Sequence, residues 1–151
     1  MTQPLSSLID HTGYWLRMVS NAVSQDFARR LVGEGVTVAE WVFLRALHDG
    51  DAVSPSALAA SMDMTKGAIS KLADRLVEKK LVARADNPGD RRAHSLSLSP
   101  AGREKVPILA ALADRNDSDY FGALSAEDHA ALRRILGTLV ERRGLSRVPI
   151  D

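Results

Sequence analysis

Apolar residues recur at helical spacing along most of the chain. Leu5, Leu8, Ile9, Trp15, Leu16, Val19, Val23, Phe27 and Leu31 stand mostly three, four or seven apart and predict one long helix over 5–31. Gly33-Glu34-Gly35 is its stop, since glycine just past the last periodic residue ends a helix readily. Thr37-Val38-Ala39-Glu40 is a capping box opening a second helix, with Trp41, Val42, Leu44, Ala46 and Leu47 as its apolar positions. Asp49-Gly50-Asp51 is a turn. Ser54-Pro55 opens a short third helix carrying Leu58, Ala59 and Met62. After a break at Asp63-Met64-Thr65, Thr65 caps a fourth helix over 66–80. Its apolar stripe is Ala68, Ile69, Leu72, Leu76 and Val77; Lys66, Gly67, Ser70, Lys71, Asp74, Arg75 and Lys79 lie between.

The period then changes. Residues 81–84 read as a short strand, 85–92 as a polar turn, and 93–98 as a second strand in which Leu96 and Leu98 alternate with Ser95 and Ser97. Ser99-Pro100 repeats the cap-plus-proline start of a helix. Pro107 lies too deep for a first-turn position and predicts a kink or an early end. A further segment passes Leu109, Leu112 and Phe121 through the polar patch of residues 114–119. Ser125 caps a last helix with Leu132, Ile135, Leu136, Leu139 and Val140, and Gly144 stops it. The predicted order is four helices, two strands and two helices: a mainly α (α+β) chain.

Composition narrows the function classes. At 151 residues, with 45% apolar and 26% charged side chains, the chain fits one folded domain with a real core. No cysteine is present, which excludes disulfides, thiolate metal sites and thiol redox chemistry. His11, His48, His94 and His129 have no metal-type spacing, and neither a metal nor a cofactor is expected. No nucleophile elbow, phosphate loop or HExxH occurs, so the chain is not expected to be an enzyme. No apolar stretch is long enough for a membrane span, and the first residues lack a leader pattern; a cytoplasmic location is expected.

Charge is segregated. The chain totals +1, yet 66–105 holds ten basic and five acidic residues, leaving −4 for the rest. A basic middle points to a polyanion. A short helix, a tight turn and a second helix with a small, polar, basic N-terminal half is helix-turn-helix geometry. Thr65, Lys66, Gly67, Ser70, Lys71 and Arg75 suit a helix whose leading residues enter the major groove. Gly67 costs about 1 kcal/mol of helix propensity against alanine. A close approach to phosphate or base would justify it. Arg91 and Arg92 at the hairpin tip can reach an adjacent minor groove, with Asp90 bracing one of them.

The run over 54–102 resembles the winged helix-turn-helix of the multiple-antibiotic-resistance regulator (MarR) family. The resemblance is carried by Lys71-Leu72-Ala73-Asp74-Arg75-Leu76, Leu81-Val82, Asp90-Arg91-Arg92 and Leu98-Ser99-Pro100-Ala101-Gly102, the last matching the family's Leu-Thr-x-x-Gly with Ser for Thr. It implies a homodimeric transcriptional regulator with Asp90 and Arg92 as the wing's key pair. Two positions depart from the pattern: Lys80 stands where the family often has glycine, and Pro107 interrupts the helix after the wing.

The expected organisation is an N-terminal dimerisation helix (1–35), a winged helix-turn-helix (36–100) and C-terminal dimerisation helices (101–151). The flanking apolar stripes are too long for one small domain to cover, and a twofold dimer would bury them. Such a dimer sets two recognition helices about 34–36 Å apart, for a palindromic double-stranded DNA operator. The resemblance further implies a small aromatic or anionic effector between the dimer helices and the winged domain, a region that here includes His11, Trp15, Trp41 and Arg45. The leading expectation is a repressor relieved by such a ligand. The alternative, a winged domain used for protein contact without DNA, would place apolar residues on the outer face of the fourth helix.

Overall fold

The computed structural model describes residues 2–50, 52–87 and 90–146, with the backbone alone at 87 and 90–93. A short 3-10 turn (Leu8–Asp10) precedes α1 (Thr12–Val32), α2 (Val38–His48), α3 (Pro55–Ser61), α4 (Lys66–Glu78), β1 (Val82–Asn87), β2 (Asp90–Leu98), α5 (Pro100–Phe121) and α6 (Ala126–Arg143). This is the predicted order, mainly helical with one two-stranded antiparallel sheet. Among the described residues no helix is long and apolar enough to cross a membrane.

Five hydroxyl caps set the helix starts. The side chains of Thr37, Ser54, Thr65, Ser99 and Ser125 each accept the backbone N–H three residues on, at 3.0–3.1 Å. Each such bond satisfies an otherwise orphaned donor and contributes about 1 kcal/mol. At the far end, Gly144 takes the left-handed conformation (φ 60°) expected of a stop.

Four expectations need correction. The first helix begins at Thr12, not Leu5: His11 is extended (φ −97°, ψ 123°), and Leu5, Leu8 and Ile9 pack against nothing that would hold them helical. The fourth helix stops at Glu78 rather than at 80; Lys80 itself turns left-handed (φ 63°), as a residue standing in place of a helix-ending glycine is expected to. The hairpin is longer than predicted, with pairing running from Val82↔Leu98 to Asn87↔Asp90 through a shift at Asp86/Asn87. Hydrophobic alternation marked only its base, where Val82, Leu96 and Leu98 are buried. Finally, Pro107 neither ends nor divides α5. Pro107 and Arg103, the residue whose carbonyl loses its helical donor, both lie on the exposed face, where water can solvate that carbonyl. Val106 and Leu109, fully buried on the other face, hold the helix down.

One core runs from Leu31 of α1 through Phe43, Leu44 and Leu47 of α2, Leu58 of α3, and Ile69 and Leu76 of α4 to Leu96 of β2 and Leu109 of α5. Val53 bonds Leu96 in both directions (2.9 and 2.8 Å), fastening the hairpin to the link before α3. α6 contributes nothing to this core and leaves Ile135, Leu136, Leu139 and Val140 exposed.

The hairpin base is locked to α4 and α5 by one junction. The Leu81 N–H donates to Leu76 O (2.9 Å) and the Ser99 N–H to Leu81 O (3.1 Å). The Ser99 hydroxyl donates to Lys80 O (2.6 Å). Gly102 sits so close that a Cβ there would lie 2.1 Å from Leu81 O. No rotamer change relieves a clash with backbone. Gly102→Ala is therefore expected to lower unfolding free energy by about 3 kcal/mol, read by urea denaturation.

Candidate nucleic-acid interface and helix cavity

α3 and α4 meet at a turn that the sequence builds from short-range bonds. The Met62 N–H reaches Leu58 O (2.9 Å), Met64 N–H reaches Ala59 O (2.9 Å), and Asp63 takes a left-handed φ of 50°. α4 then buries Ile69, Leu72, Ala73 and Leu76. Burial on that side turns Lys66, Gly67, Ser70, Lys71 and Arg75 outward, and with the Thr65 cap they form one continuous exposed face. Asp74 shares this side, but its carboxylate pairs with Arg84 of β1 (2.8 Å). The face therefore presents three cations, two small polar side chains and a glycine, with Thr65, Lys66 and Gly67 at the positive end of the helix and Arg75 in its last turn. The side chains of Asp90, Arg91 and Arg92 lie outside the described residues; their backbone is the start of β2.

Lys79 does not belong to this outer face, contrary to the periodicity reading. Its ammonium turns back to the α1–α2 corner, donating to Gly35 O (2.8 Å) and to both Glu40 oxygens (2.9 and 2.8 Å). Glu40 is fully buried and also accepts the Thr37 N–H (3.0 Å). Burial pushes the Glu40 carboxyl up, but the Lys79 bond and the bonds from Thr37 outweigh it, and the net shift is downward. The sequence shows Glu40 only as a capping residue; its second role needs a partner 39 positions away.

The four residues expected at an effector site are not brought together. Trp15 lines a groove between α1, the end of α5 and α6, with Leu16, Tyr120 and Leu132. Trp41 lines a cavity of about 530 Å³ between α1, α2 and α5, with Phe27, Val38, Val42 and Asn116; it adjoins that groove at Val23 and Ser24, which line both. Arg45 is paired with Asp49 (2.9 Å) on the surface of α2. His11 is exposed at the start of α1 and its side chain makes no cap bond. Asn116 escaped sequence reasoning because it sits inside the polar run Asp114-Arg115-Asn116-Asp117-Ser118-Asp119, which looks solvated, yet it is buried.

A depressed carboxyl value means that Glu40 contributes stability above its ordinary value of 4.5, and that this contribution is lost as pH falls below it. Acid titration of the unfolding midpoint should thus be shallower in Glu40→Gln than in the unaltered chain between about pH 5 and 3. Lys79→Met strands a buried carboxylate and is expected to cost about 2–3 kcal/mol at pH 7, less than in a fully buried pair because Lys79 still touches water. Denaturant melts of both variants check this.

The MarR family model matches residues 34–93, which span α2 to the wing. A putative transcriptional regulatory protein for the hcr operon of Thauera aromatica is 31% identical over 134 residues, covering 88% of this chain and 81% of that one. A crystal structure of a probable transcriptional regulator from Pseudomonas aeruginosa superposes with a TM-score of 0.74 at 28% identity, over 88% of this chain and 99% of that one. The structure of CouR from Rhodococcus jostii bound to p-coumaroyl-CoA gives 0.76 at 25% identity, over 96% and 100%. Family model, a 31%-identical relative matched over most of both chains, and superposed folds agree: this chain belongs to the MarR family of transcriptional regulators.

Proposed function

We propose that this regulator binds a palindromic operator in double-stranded DNA as a homodimer, represses transcription there, and is released by a small molecule. The observation that carries the reading is the exposed cationic face of α4, Thr65 to Arg75, set beside the hairpin. Lys66, Lys71 and Arg75 supply phosphate attraction, Thr65 and Ser70 supply hydrogen bonds, and Gly67 permits close approach. Asp90, Arg91 and Arg92 at the wing tip take the adjacent minor groove in this reading. A surface for protein contact alone would be apolar, and this one is not.

Dimerisation is supported by apolar residues that one chain leaves in water. Leu8, Ile9, Trp15, Leu16 and Val19 near the start of the chain, and Ile135, Leu136, Leu139 and Val140 of α6, are all more than a third exposed. A second copy covering them would divide the chain as the sequence suggests, with 1–35 and 101–151 pairing and 36–100 on DNA. Relief by a small molecule is supported by the cavity at Trp41 and by a similar fold holding p-coumaroyl-CoA.

A mobility-shift series over salt tests the DNA reading. Lys66→Ala should weaken binding and reduce the slope of log affinity against log salt by about one; unchanged affinity in both Lys66→Ala and Arg92→Ala would sink it. Gly67→Ala separates fold from function. A Cβ there meets nothing closer than 3.9 Å, so the variant should melt higher, by up to about 1 kcal/mol, while binding DNA more weakly.

A further inference from the structure

We infer that His94 of the hairpin contacts a backbone phosphate of the bound duplex as an imidazolium, so that DNA binding takes up a proton there. The inference deepens the operator reading and rests on it. With α4 in a major groove and the hairpin tip in the adjacent minor groove, the sugar-phosphate strand dividing the two grooves passes between them. The surface facing that strand is the cleft between α4 and the hairpin, a hollow of about 320 Å³ lined by Ser70, Asp74, Arg84 and His94. Ser70 also belongs to the exposed face of α4, so the cleft opens on the side that this reading turns toward DNA.

The cleft offers that strand no free cation while His94 is neutral. The Arg84 guanidinium is held by Asp74 at 2.8 Å. His94 stands directly across the hairpin from Asp86, and its Nδ1 lies 3.0 Å from an Asp86 carboxylate oxygen. An ionised carboxylate only accepts, so Nδ1 carries a proton in either charge state of the ring, and Nε2 is the nitrogen that gains or loses one. Nε2 has no partner among the described residues, and the side chain is 42% exposed. The charged groups around the ring are Asp74 from α4 and Arg84 and Asp86 from β1; α3 brings only Pro55. Asp74, Arg84 and Asp86 together leave one net negative charge, which repels phosphate. The imidazolium cancels it and makes Nε2 a donor, with Asp86 orienting the ring from behind and the Ser70 hydroxyl alongside. Histidine is the side chain whose ordinary change of charge falls between pH 5 and 8, so this contact forms and breaks within the working range of a cell.

Fluorescence anisotropy tests this with the full-length protein and a labelled duplex from upstream of its own coding sequence, at about pH 5.5 and about pH 8. The slope of log affinity against log salt should be steeper by about one at the lower pH, and affinity at moderate salt higher by about threefold or more. His94→Gln should behave at both pH values as the unaltered chain does at the higher one, and His94→Arg should give the steeper slope at both. A hairpin strut that touches no phosphate would leave the slope independent of pH in the unaltered chain, and that result overturns the inference. A pH-dependent slope that persists in His94→Gln overturns it equally, and His94→Arg decides should the glutamine variant not fold. Absence of binding at either pH sinks the operator reading and this inference with it; binding with a constant slope sinks this inference alone.

Discussion

The approach of Gly102 to the Leu81 carbonyl is the constraint on which the winged architecture turns. Three elements converge there with no room for a side chain: the end of α4, the first residue of the hairpin and the first turn of α5. Lys80 must turn left-handed to deliver Leu81 to this point, and Ser99 must cap α5 while donating to Lys80 O. A left-handed lysine is strained relative to glycine. It persists because the Leu76, Leu81 and Ser99 bonds on either side over-determine the turn. The most recognisable stretch of the sequence, Leu98 to Gly102, thus serves geometry. It sets where the hairpin stands relative to α4.

A second constraint ties this unit to the rest. Lys79, one residue before the left-handed turn, reaches Gly35 O and Glu40, so the C-terminal end of α4 is bonded to the α1–α2 corner. The same corner is bonded to α5 through Glu34 and Lys105 (2.7 Å). α2 therefore has two duties. Its first turn carries Glu40 toward α4, and Val38, Trp41 and Val42 form a wall of the cavity. Anything that moves α2 within the cavity must also strain or carry the end of α4, because a buried carboxylate does not readily give up its one cation.

The sequence was legible where its signals are local. Five hydroxyl caps, the proline-led starts of α3 and α5, the glycine stop after α6 and the base of the hairpin each depend on residues within a few positions of one another. The outward face of α4 was legible for the same reason, since helical period and the buried Ile69-Leu72-Leu76 stripe fix it. Errors arose where local signals lacked a partner or had an unexpected one. The periodicity of Leu5, Leu8 and Ile9 found no surface within this chain to pack on and made only the 3-10 turn Leu8–Asp10, not the start of α1. Pro107 was tolerated because its missing bond faces water. Lys79 fitted the outer stripe by spacing and was drawn off it by Glu40.

Sequence alone therefore determined the order of elements, the basic outer face of α4 and the resemblance that family membership later matched. These are one-dimensional facts: capping, period and charge density are written in neighbouring residues. Tertiary structure alone decided that the buried Glu40 pairs with Lys79, that Trp15 and Trp41 stand at two different parts of the α1 surface, and that Asn116 lies buried with its amide bonded to Val23 O. Each depends on which helix packs against which. Groups 39 or 93 positions apart acquire their electrostatics and hydrogen-bonding needs only when folding removes water from between them.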